Sequence, residues 1–598
     1  MIFNRRNLIR IAALVSSCFA FSVTVMLAMN RVMNYHLRQR GLTYVFITLA
    51  GLLWFGVPSL RATDRYVVVP GTPGGTNAGE YDSWAIAATQ IQWAVDKAAV
   101  GETVLVSNGT YTLTNQITVT NGITLRSAEG HGLGDTIING NFVAGSAVTN
   151  NRCLWIKSTA AGALVHGFTI SNGAIYSSGG GVLMDSGVLS NCHVRNNISF
   201  SPDTAAYYGG GIAVNAGTVT VCRVTDNIVT NFTVSGGGSC GGGIYSYGLI
   251  SDCIISSNYT FGTEGYGGGV SMGSIMRSSL VSHNRAAGGG GGLQLASGSI
   301  MINSTSTLNY ANRGGGGIYG RGTLVLSNCV ISYNQCVDAG SGGMRMRGSP
   351  CTMKVYNSTF MGNTNGGVEF FPSSSSDLLI LDNCVIEDNA YGGIFGTAAG
   401  TNNWVLNSKV LRNRGPGIYF PSPIAFFIRN CLIAKNNDSA GFGAGGLYLG
   451  STSSVSGCTI VSNLTTASGG RGGGIRFGLA TPNIISVSSC VIYSNGVGGT
   501  SDVYDAASPA NINALRYSCV GTNPGFTGAG IIVASPQFKD FAGENYRLAP
   551  SSPCVNRGSN EDWMTNAVDL DGKARIRYGT VDMGAYERIN EGTIYGFH

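Results

Sequence analysis

Arginine and tyrosine residues recur at short intervals in the middle of the chain. Tyr319 is followed at a spacing of two by Arg321, and Arg345 by Arg347 at the same spacing. A guanidinium group can bind a carboxylate through two parallel hydrogen bonds. A flat aromatic ring offers an apolar surface on which the face of a sugar can stack. Residues of these types, if brought together, predict a binding site for a polysaccharide that carries uronate groups.

The predicted ligand-binding set extends over several repeats of the sequence. It consists of Tyr319, Arg321, Arg345, Arg347, Glu369, Phe395, Tyr419 and Tyr448. The alternative is a solvated sheet face, because Arg and Tyr also suit exposed strand positions.

The same arginines would serve a polysaccharide lyase, which is the alternative function. One Arg would neutralise the uronate carboxylate while a Lys or Arg abstracts the C5 proton, often with the help of calcium. The candidate catalytic residues are Arg345, Arg347 and Arg321. The base would need a depressed pKa, and an outward acidic cluster for calcium is missing.

Other kinds of catalysis have little support in the residues. The six histidines are scattered, and the nucleophile-elbow pattern at 237–241 arises in a region saturated with glycine. Glycoside hydrolysis needs paired carboxylates, and the outward positions lack an Asp cluster. The net charge of +6 is spread over 598 residues without a basic run, so we expect no nucleic-acid partner.

A glycine cluster followed by an aliphatic residue recurs twelve times at intervals of 23 to 32 residues. The aliphatic residues are Val182, Ile212, Ile244, Val270, Leu293, Ile318, Met344, Val368, Ile394, Ile418, Leu447 and Ile475. A second motif places an Asn five residues after a Cys or Ser, as in Cys192 with Asn197. Because insertions fall only between the motifs, the pattern predicts a solenoid whose rungs stack in register.

The repeats predict a single-stranded right-handed parallel β-helix, an all-β fold. Val, Ile, Thr and Tyr alternate with small polar residues in short runs that Gly and Asn interrupt. In each run the first and third residues point inward and the second and fourth outward. We expect the motif Asn to occupy a corner in the left-handed conformation and to stack on its neighbours. Cys and Ser interchange at the first position of the second motif, which predicts buried free thiols. The alternative is a set of disulfides between the cysteines of adjacent rungs.

Residues 1–62 are predicted to be a signal or membrane-targeting region. Arg38 and Arg40 precede the apolar stretch 42–57, and Ala62 offers a small residue for cleavage. An earlier apolar stretch, 8–29, permits a membrane hairpin, or Met33 is the true initiator. Either alternative exports the repeats, so we expect a secreted or cell-surface monomer that meets a membrane only through this segment.

The region 63–150 is predicted to hold an N-terminal cap and the first rungs, and 151–500 the repeats. An amphipathic helix is expected from Trp84 to Val100, with Ile86 on its buried side, then a strand at 103–106 and a turn at 108–111. This order resembles the pectin-lyase-like superfamily of exported β-helices. The glycine-aliphatic repeats are similar, more loosely, to those of polymorphic outer-membrane adhesins.

Residues 501–598 are predicted to hold the last rungs and a C-terminal region. The segments 551–553, 568–575 and 581–587 resemble the choice-of-anchor Q region of bacterial surface β-helix proteins. Asp569, Asp571 and Asp582 could hold calcium. The other interpretation is a charged cap that covers the exposed last strand. No other cofactor is expected, and the sequence favours an exported module for polysaccharide binding or adhesion.

Overall fold

The computed structural model describes the chain from Thr63 to Ile589. It leaves out residues 129–133, 144–150, 202–205, 232–239, 263, 339, 349, 375, 397–402, 422–424, 440, 451, 467–471, 479–484, 497–501, 506–513 and 524. The predicted targeting segment, residues 1–62, lies outside the described residues. Within the described ranges, no helix has both the length and the hydrophobicity needed to span a membrane.

The described residues fold into a right-handed parallel β-helix, as the repeats predict. A turn of the helix, or rung, runs through three or four short strands, which stack on the equivalent strands of the neighbouring rungs as sheets 1 to 4. One such rung consists of Val182–Met184, Val188–Ser190, His193–Arg195 and Ile198–Ser201. The glycine cluster at 209–211 then leads to the next rung.

Sheet 1 contains the aliphatic residues of the glycine motif. Its strands are Ile117–Val119, Leu154–Ile156, Val182–Met184, Ile212–Val214, Ile244–Ser246, Val270–Met272, Leu293–Leu295, Ile318–Gly320, Met344–Gly348, Val368–Pro372, Ile394–Gly396, Ile418–Phe420, Leu447–Leu449, Ile475–Phe477 and Val503–Asp505. All twelve predicted aliphatic residues are buried and in register. Three further strands, which begin at Ile117, Leu154 and Val503, lack the full motif, and the sequence analysis gave no position for them.

Sheet 2 follows sheet 1 along each rung. Its strands are Arg65–Val67, Thr103–Val106, Thr124–Ser127, Leu164–His166, Val188–Ser190, Thr218–Thr220, Leu249–Ser251, Ile275–Arg277, Ile300–Ile302, Thr323–Ser327, Thr352–Tyr356, Leu378–Asp382, Asn403–Leu406, Phe426–Arg429, Ser453–Ser456, Ile485–Ser488 and Leu515–Arg516. The inward side chains of this sheet and of its neighbours form one continuous apolar core.

Sheet 3 begins after the Cys or Ser of the second motif. Its strands are Gly109–Thr112, Thr136–Asn139, Thr169–Ser171, His193–Arg195, Arg223–Thr225, Ile254–Ser256, Leu280–Ser282, Thr305–Thr307, Val330–Ser332, Thr359–Met361, Val385–Glu387, Lys409–Leu411, Leu432–Ala434, Thr459–Val461, Val491–Tyr493, Cys519–Val520 and Ile532–Val533.

Sheet 4 is shorter and begins after the ladder Asn. Its strands are Ala174–Ile175, Ile198–Ser201, Ile228–Asn231, Tyr259–Thr260, Arg285–Ala286, Tyr310–Ala311 and Gln335–Cys336. Two short strands, Asn437–Asp438 and Leu464–Thr465, pair separately further along the chain.

The N-terminal cap differs from its prediction in length. The α-helix covers only Ile91–Lys97, and a 3-10 turn, Trp84–Ile86, precedes it. Ile86 is exposed, so its predicted place on the buried side was wrong. Most of the predicted turn at 108–111 is strand, Gly109–Thr112, which pairs with Thr136–Asn139. Extended backbone on either side limits the helix to two turns, and its buried face closes the core beside the first strands.

The motif asparagines form an uninterrupted ladder from Asn197 to Asn495. Each backbone N–H and each side-chain amide donates to the Oδ1 of the Asn on the next rung, as Asn334 does to Asn363 at 3.0 and 3.1 Å. The ladder ends on the carboxylate of Asp502. The prediction of a left-handed Asn was wrong. The preceding residue takes the positive φ, for example Tyr333 at 53°.

The cysteines of the second motif lie buried at the corner between sheets 2 and 3. All eight of these motif cysteines are free thiols. The motif thiols donate to backbone carbonyls, as Cys329 does to Met301 O at 3.4 Å and to Ser327 O at 3.3 Å. A serine hydroxyl satisfies the same corner, since Ser358 donates to Tyr356 O at 2.7 Å. This shared role explains why the two residue types interchange.

The C-terminal region from Pro536 onward packs along the outward face of sheet 3. It contains the hairpin Phe538–Asp540 and Asn545–Leu548, and the 3-10 turn Asp562–Met564. Its apolar side chains pack on the outward residues Leu432, Ala434 and Val461. The backbone N–H of Ala585 donates to Thr459 Oγ1 at 2.9 Å. The region therefore covers the side of several rungs, up to the last strands of sheet 3, where Cys519 and Ile532 pack with Leu548 and Met583.

Candidate ligand-binding groove

The outward residues of sheet 1 align as the repeat register predicts. Tyr319 lies opposite Arg345, which lies opposite Glu369 on the following strand. The row continues through Phe395, Tyr419 and Tyr448. Arg347 lies beside this row, opposite Phe371. Parallel strands in register therefore bring together side chains that are up to 129 residues apart in sequence.

Arg345 and Glu369 form an ion pair within this row. Arg345 Nε lies 3.2 Å from Glu369 Oε2, and the backbone N–H of Ser341 donates to the same oxygen at 3.0 Å. The Nε–H is nevertheless buried and makes no hydrogen bond to any described residue, so the alignment of the pair is poor. The Arg345 guanidinium also lies 5.0 Å from the centre of the Phe371 ring.

Glu369 is 5% exposed, and its charge is poorly solvated. Burial raises the pKa of this carboxyl to about 7, although Arg345, the Ser341 N–H and Arg347 act to lower it. A carboxyl with such a pKa can gain or lose a proton near neutral pH. Sequence analysis placed Glu369 in the binding set but did not show this property.

Tyr319 is only 7% exposed, which corrects its expected role in stacking on a ligand. Its ring stacks on Tyr266 at 5.4 Å, and the backbone of the preceding glycine cluster covers its other side. A Cβ on Gly314 would lie 2.9 Å from the Tyr319 ring, so only glycine allows this approach. Tyr319 therefore packs within the protein and is not part of the cavity lining.

Arg321 lies against the same rings and lacks the property that a catalytic base would need. Its guanidinium lies 5.3 Å from the Tyr319 ring centre and 5.5 Å from that of Tyr266. Burial acts to lower the pKa of Arg321, but the hydrogen bond and charge interaction with the Tyr319 hydroxyl outweigh it and leave the pKa raised. This direction is the opposite of the depressed pKa that proton abstraction by Arg321 requires.

An open cavity of about 520 Å³ lies next to the Arg345–Glu369 pair. The cavity is lined by Val337, Asp338, Ser341, Asn365, Gly366, Val368, Glu369, Phe371, Tyr391, Gly392 and Phe395. Asp338 and Tyr391 were not predicted, because they lie in segments of variable length between the motifs. Phe371 was on the predicted outward face but outside the predicted binding set. The cavity brings together two carboxyls and aromatic walls, and the Arg345 guanidinium adjoins it through the ion pair with Glu369.

An aromatic cluster continues from the cavity along the next rungs. Phe395 stacks on Tyr419 with ring centres 5.2 Å apart and planes 11° apart. Phe442 packs against Tyr391, Phe395 and Tyr419 at 5.1, 5.5 and 4.7 Å. Tyr448 lies 5.0 Å beyond Tyr419. Tyr391 is 40% exposed, so the cluster presents aromatic surface to solvent at the cavity rim.

The backbone N–H of Phe442 is held by the carboxylate of Asp438. Asp438 is fully buried and also accepts hydrogen bonds from the N–H groups of Gly441 and Gly443. This arrangement fixes the segment that carries the Phe442 ring. Neither residue was predicted, because the segment belongs to no motif.

The three C-terminal aspartates make contacts within the protein. Asp569 accepts hydrogen bonds from the N–H groups of Asp571, Lys573 and Glu587, and Asp582 accepts them from Asn556 and Arg588. Asp571 forms ion pairs with Arg547 and Lys573 at 2.5 and 3.3 Å. No group of three or more metal-ligating side chains is present in the part of the chain that the structure describes. This geometry gives the predicted calcium site no support.

Comparison with known proteins gives one family match and several similar solved structures at low sequence identity. Residues 228–378 and 354–511 match the family model "Right handed beta helix region". No curated protein matches the chain. Similar solved structures include pectate lyase Pel9A, with 13% identity, coverage of 88% of this chain and 96% of that chain, and a TM-score of 0.25.

Two further solved structures are similar. The A-module of the mannuronan C-5 epimerase AlgE6 from Azotobacter vinelandii is 14% identical, over 70% of this chain and 94% of that chain, with a TM-score of 0.26. The Dettilon tailspike protein is 13% identical, over 76% of this chain and 70% of that chain, with a TM-score of 0.28. The family match and the four stacked sheets agree on a right-handed parallel β-helix.

Proposed function

We propose that the protein binds a polysaccharide along the outward face of sheet 1, without cleaving it. The observation that carries the proposal is the cavity, where Phe371, Tyr391 and Phe395 stand beside the Arg345–Glu369 pair. Aromatic rings beside a few polar groups are the usual composition of a site that binds an amphipathic ligand. The aromatic cluster from Phe395 to Tyr448 extends this surface along several rungs, as a polymeric ligand requires.

The arginines favour an acidic polysaccharide over a neutral one. Arg347 is exposed beside the cavity and opposite Phe371. Arg345 adjoins the cavity through its ion pair with Glu369, and its buried Nε–H makes no hydrogen bond to any described residue. A buried donor without a partner is costly, and a ligand carboxylate would supply the acceptor.

The proposal is tested by affinity electrophoresis and calorimetry with polygalacturonate, alginate and a neutral glucan. We expect Tyr391→Ala and Arg347→Ala each to weaken binding of the acidic polymer by about tenfold, equivalent to ~1.4 kcal/mol. Tyr578→Ala and Arg277→Ala are matched controls, because both residues are exposed and lie outside the cavity lining. Retention that is equal in all four variants and the wild type would contradict the proposal.

The proposed setting is outside the cell, at the surface or in the medium. The basic and apolar residues before Thr63 support it, because their order suits a secretory signal. The resemblance of the C-terminal region to the choice-of-anchor Q region favours surface attachment. Fractionation of producing cells, with protease treatment of intact cells, tests this setting. Protein retained inside the cells with residues 1–62 uncleaved would contradict it.

A further inference from the structure

The charge in the cavity depends on the protonation of one group, Glu369. Arg345 and Arg347 face it from the preceding rung, and Cys336 and Asp338 lie in the segment that leads to the cavity. Tyr391 lies on the opposite wall. Burial raises the pKa of Cys336 to about 11 and also raises that of Tyr391, so both stay protonated near neutral pH.

The ionised form of Glu369 opposes an anionic ligand in two ways. Its negative charge offsets that of Arg345 at 3.2 Å, and its oxygen occupies the space beside the buried Nε–H, which makes no hydrogen bond to any described residue. Asp338 adds a second carboxylate at the rim, 3.5 Å from Arg313. With Glu369 ionised, Arg345 has no net charge to offer a ligand carboxylate.

Protonation of Glu369 would remove its negative charge from the cavity and would leave an O–H group that can donate a hydrogen bond to a ligand. Among the described residues, both polar contacts of the carboxyl are made to Oε2, from Ser341 N–H and Arg345 Nε. Oε1 is thus available to carry a proton and donate it to a group in the cavity. The guanidinium, held against the Phe371 ring at 5.0 Å, would then face the cavity with an uncompensated positive charge.

We propose that a uronate carboxylate of the ligand replaces Glu369 as the partner of the Arg345 guanidinium, and that Glu369 takes up a proton from solvent as the complex forms. This inference rests on the proposed function and adds a ligand class and a pH dependence to it. Binding of an acidic polysaccharide should then strengthen as pH falls, because each bound site consumes a proton. A neutral polysaccharide has no carboxylate to exchange and should show no proton uptake.

The test is isothermal titration calorimetry of the full chain with polygalacturonate, in phosphate and in Tris buffers of equal pH. At about pH 8.5 the difference in heat between the buffers should report uptake of about one proton per site, and at about pH 5.5 almost none. The affinity should fall by about tenfold per pH unit above the pKa of Glu369. Fully methyl-esterified polygalacturonate, which lacks the charge, is the matched ligand.

Glu369→Gln is the matched variant, because glutamine keeps the shape and a donor but cannot ionise. We expect it to bind polygalacturonate at about pH 8.5 as tightly as the wild type does at about pH 5.5, without proton uptake. Binding by the wild type without proton uptake, or equal binding of the esterified polymer, would overturn the inference and leave the groove in place. Failure of the wild type to bind any polymer at either pH would overturn both proposals. The two-buffer measurement on the wild type decides the matter even if the variant does not fold.

Discussion

Arg345 and Glu369 lie directly opposite each other on adjacent strands of sheet 1, with Nε and Oε2 3.2 Å apart. Both side chains are largely withdrawn from water, with 19% and 7% of their surfaces exposed. Such a pair contributes little net stability, because the loss of hydration offsets the attraction, but removal of one partner leaves a buried charge. The stability that Arg345 contributes should therefore depend on whether Glu369 is ionised, and thus on pH.

Removal of the arginine should destabilise the protein mainly above neutral pH. In Arg345→Met, ionised Glu369 loses its nearest cation, and we expect a loss of about 2 kcal/mol in the free energy of unfolding near pH 8.5. Near pH 5.5 Glu369 is protonated in both proteins and the loss should be smaller. Urea denaturation at the two pH values measures this difference. Arg347→Met is the control, and the same pH dependence in both variants would contradict the role of the pair.

Glu587 should make the stability of the folded chain fall as pH rises. This carboxyl lies 3.3 Å from the fully buried Arg575, and burial raises its pKa to about 8 despite that cation. Between about pH 4.5 and 8 the folded chain keeps a proton that the unfolded chain has released. The free energy of unfolding should therefore decrease with rising pH, by at most about 1.4 kcal/mol per pH unit from this group.

The contribution of Glu587 is isolated by comparison of the wild type with Glu587→Gln over this pH range. The variant should show a flatter dependence of the unfolding free energy on pH. Glu264→Gln, at an exposed position, is the control and should follow the wild type. If Glu587→Gln shows the full slope of the wild type, the carboxyl is already ionised in the folded protein.

The constant internal spacing of the motifs explains how much of the fold was predictable. The spacing of five residues, as from Cys192 to Asn197, is the same in every repeat and leaves no freedom in the register of the strands. Strand order, the inward aliphatic residues and the row from Tyr319 to Tyr448 could therefore all be predicted. The face against which the C-terminal region packs could also have been predicted from the outward residues of sheet 3. The outward residues Leu432, Val461 and Val491 are apolar, unlike Arg223 and Thr225 at equivalent places in an earlier rung.

The cavity could not be predicted from the same pattern. Asp338 and Tyr391 lie between motifs, where segment length varies and periodicity assigns no position. The burial of Tyr319 depends on how closely the backbone at Gly314 folds over it, which residue type alone does not determine. Nor could the raised pKa of Glu369 be anticipated, because it results from burial on a face that alternation predicts to be exposed.

The protein should show no lyase activity toward uronate polymers. Arg321 has a raised pKa, and Arg345 is paired with Glu369, so neither is suited to abstract the C5 proton. Incubation with polygalacturonate or alginate and calcium should give no rise in the ultraviolet absorbance of unsaturated uronides. A known pectate lyase in the same assay is the positive control. A rise that Arg345→Ala abolishes would replace the binding function with the lyase alternative.

The asparagine ladder should be the most sensitive part of the scaffold beneath the groove. Asn334 Oδ1 accepts hydrogen bonds from both the backbone N–H and the side-chain amide of Asn309, at 3.0 Å each. Its own amide donates to Ser306 O at 2.9 Å and to Asn363 Oδ1 at 3.1 Å. Asn334→Ala removes these four buried hydrogen bonds, at a cost of about 1 kcal/mol each, and it leaves the backbone N–H of Asn309 without its acceptor on this rung.

We therefore expect Asn334→Ala to lower the free energy of unfolding by at least about 3 kcal/mol. Asn215→Ala, at an exposed position directly after a strand of sheet 1, is the control and should change it by less than about 0.5 kcal/mol. Because each rung contacts only its neighbours, hydrogen exchange should locate the loss of protection in the rungs beside Asn334. Similar small losses in both variants would show that the ladder contributes little beyond the apolar core.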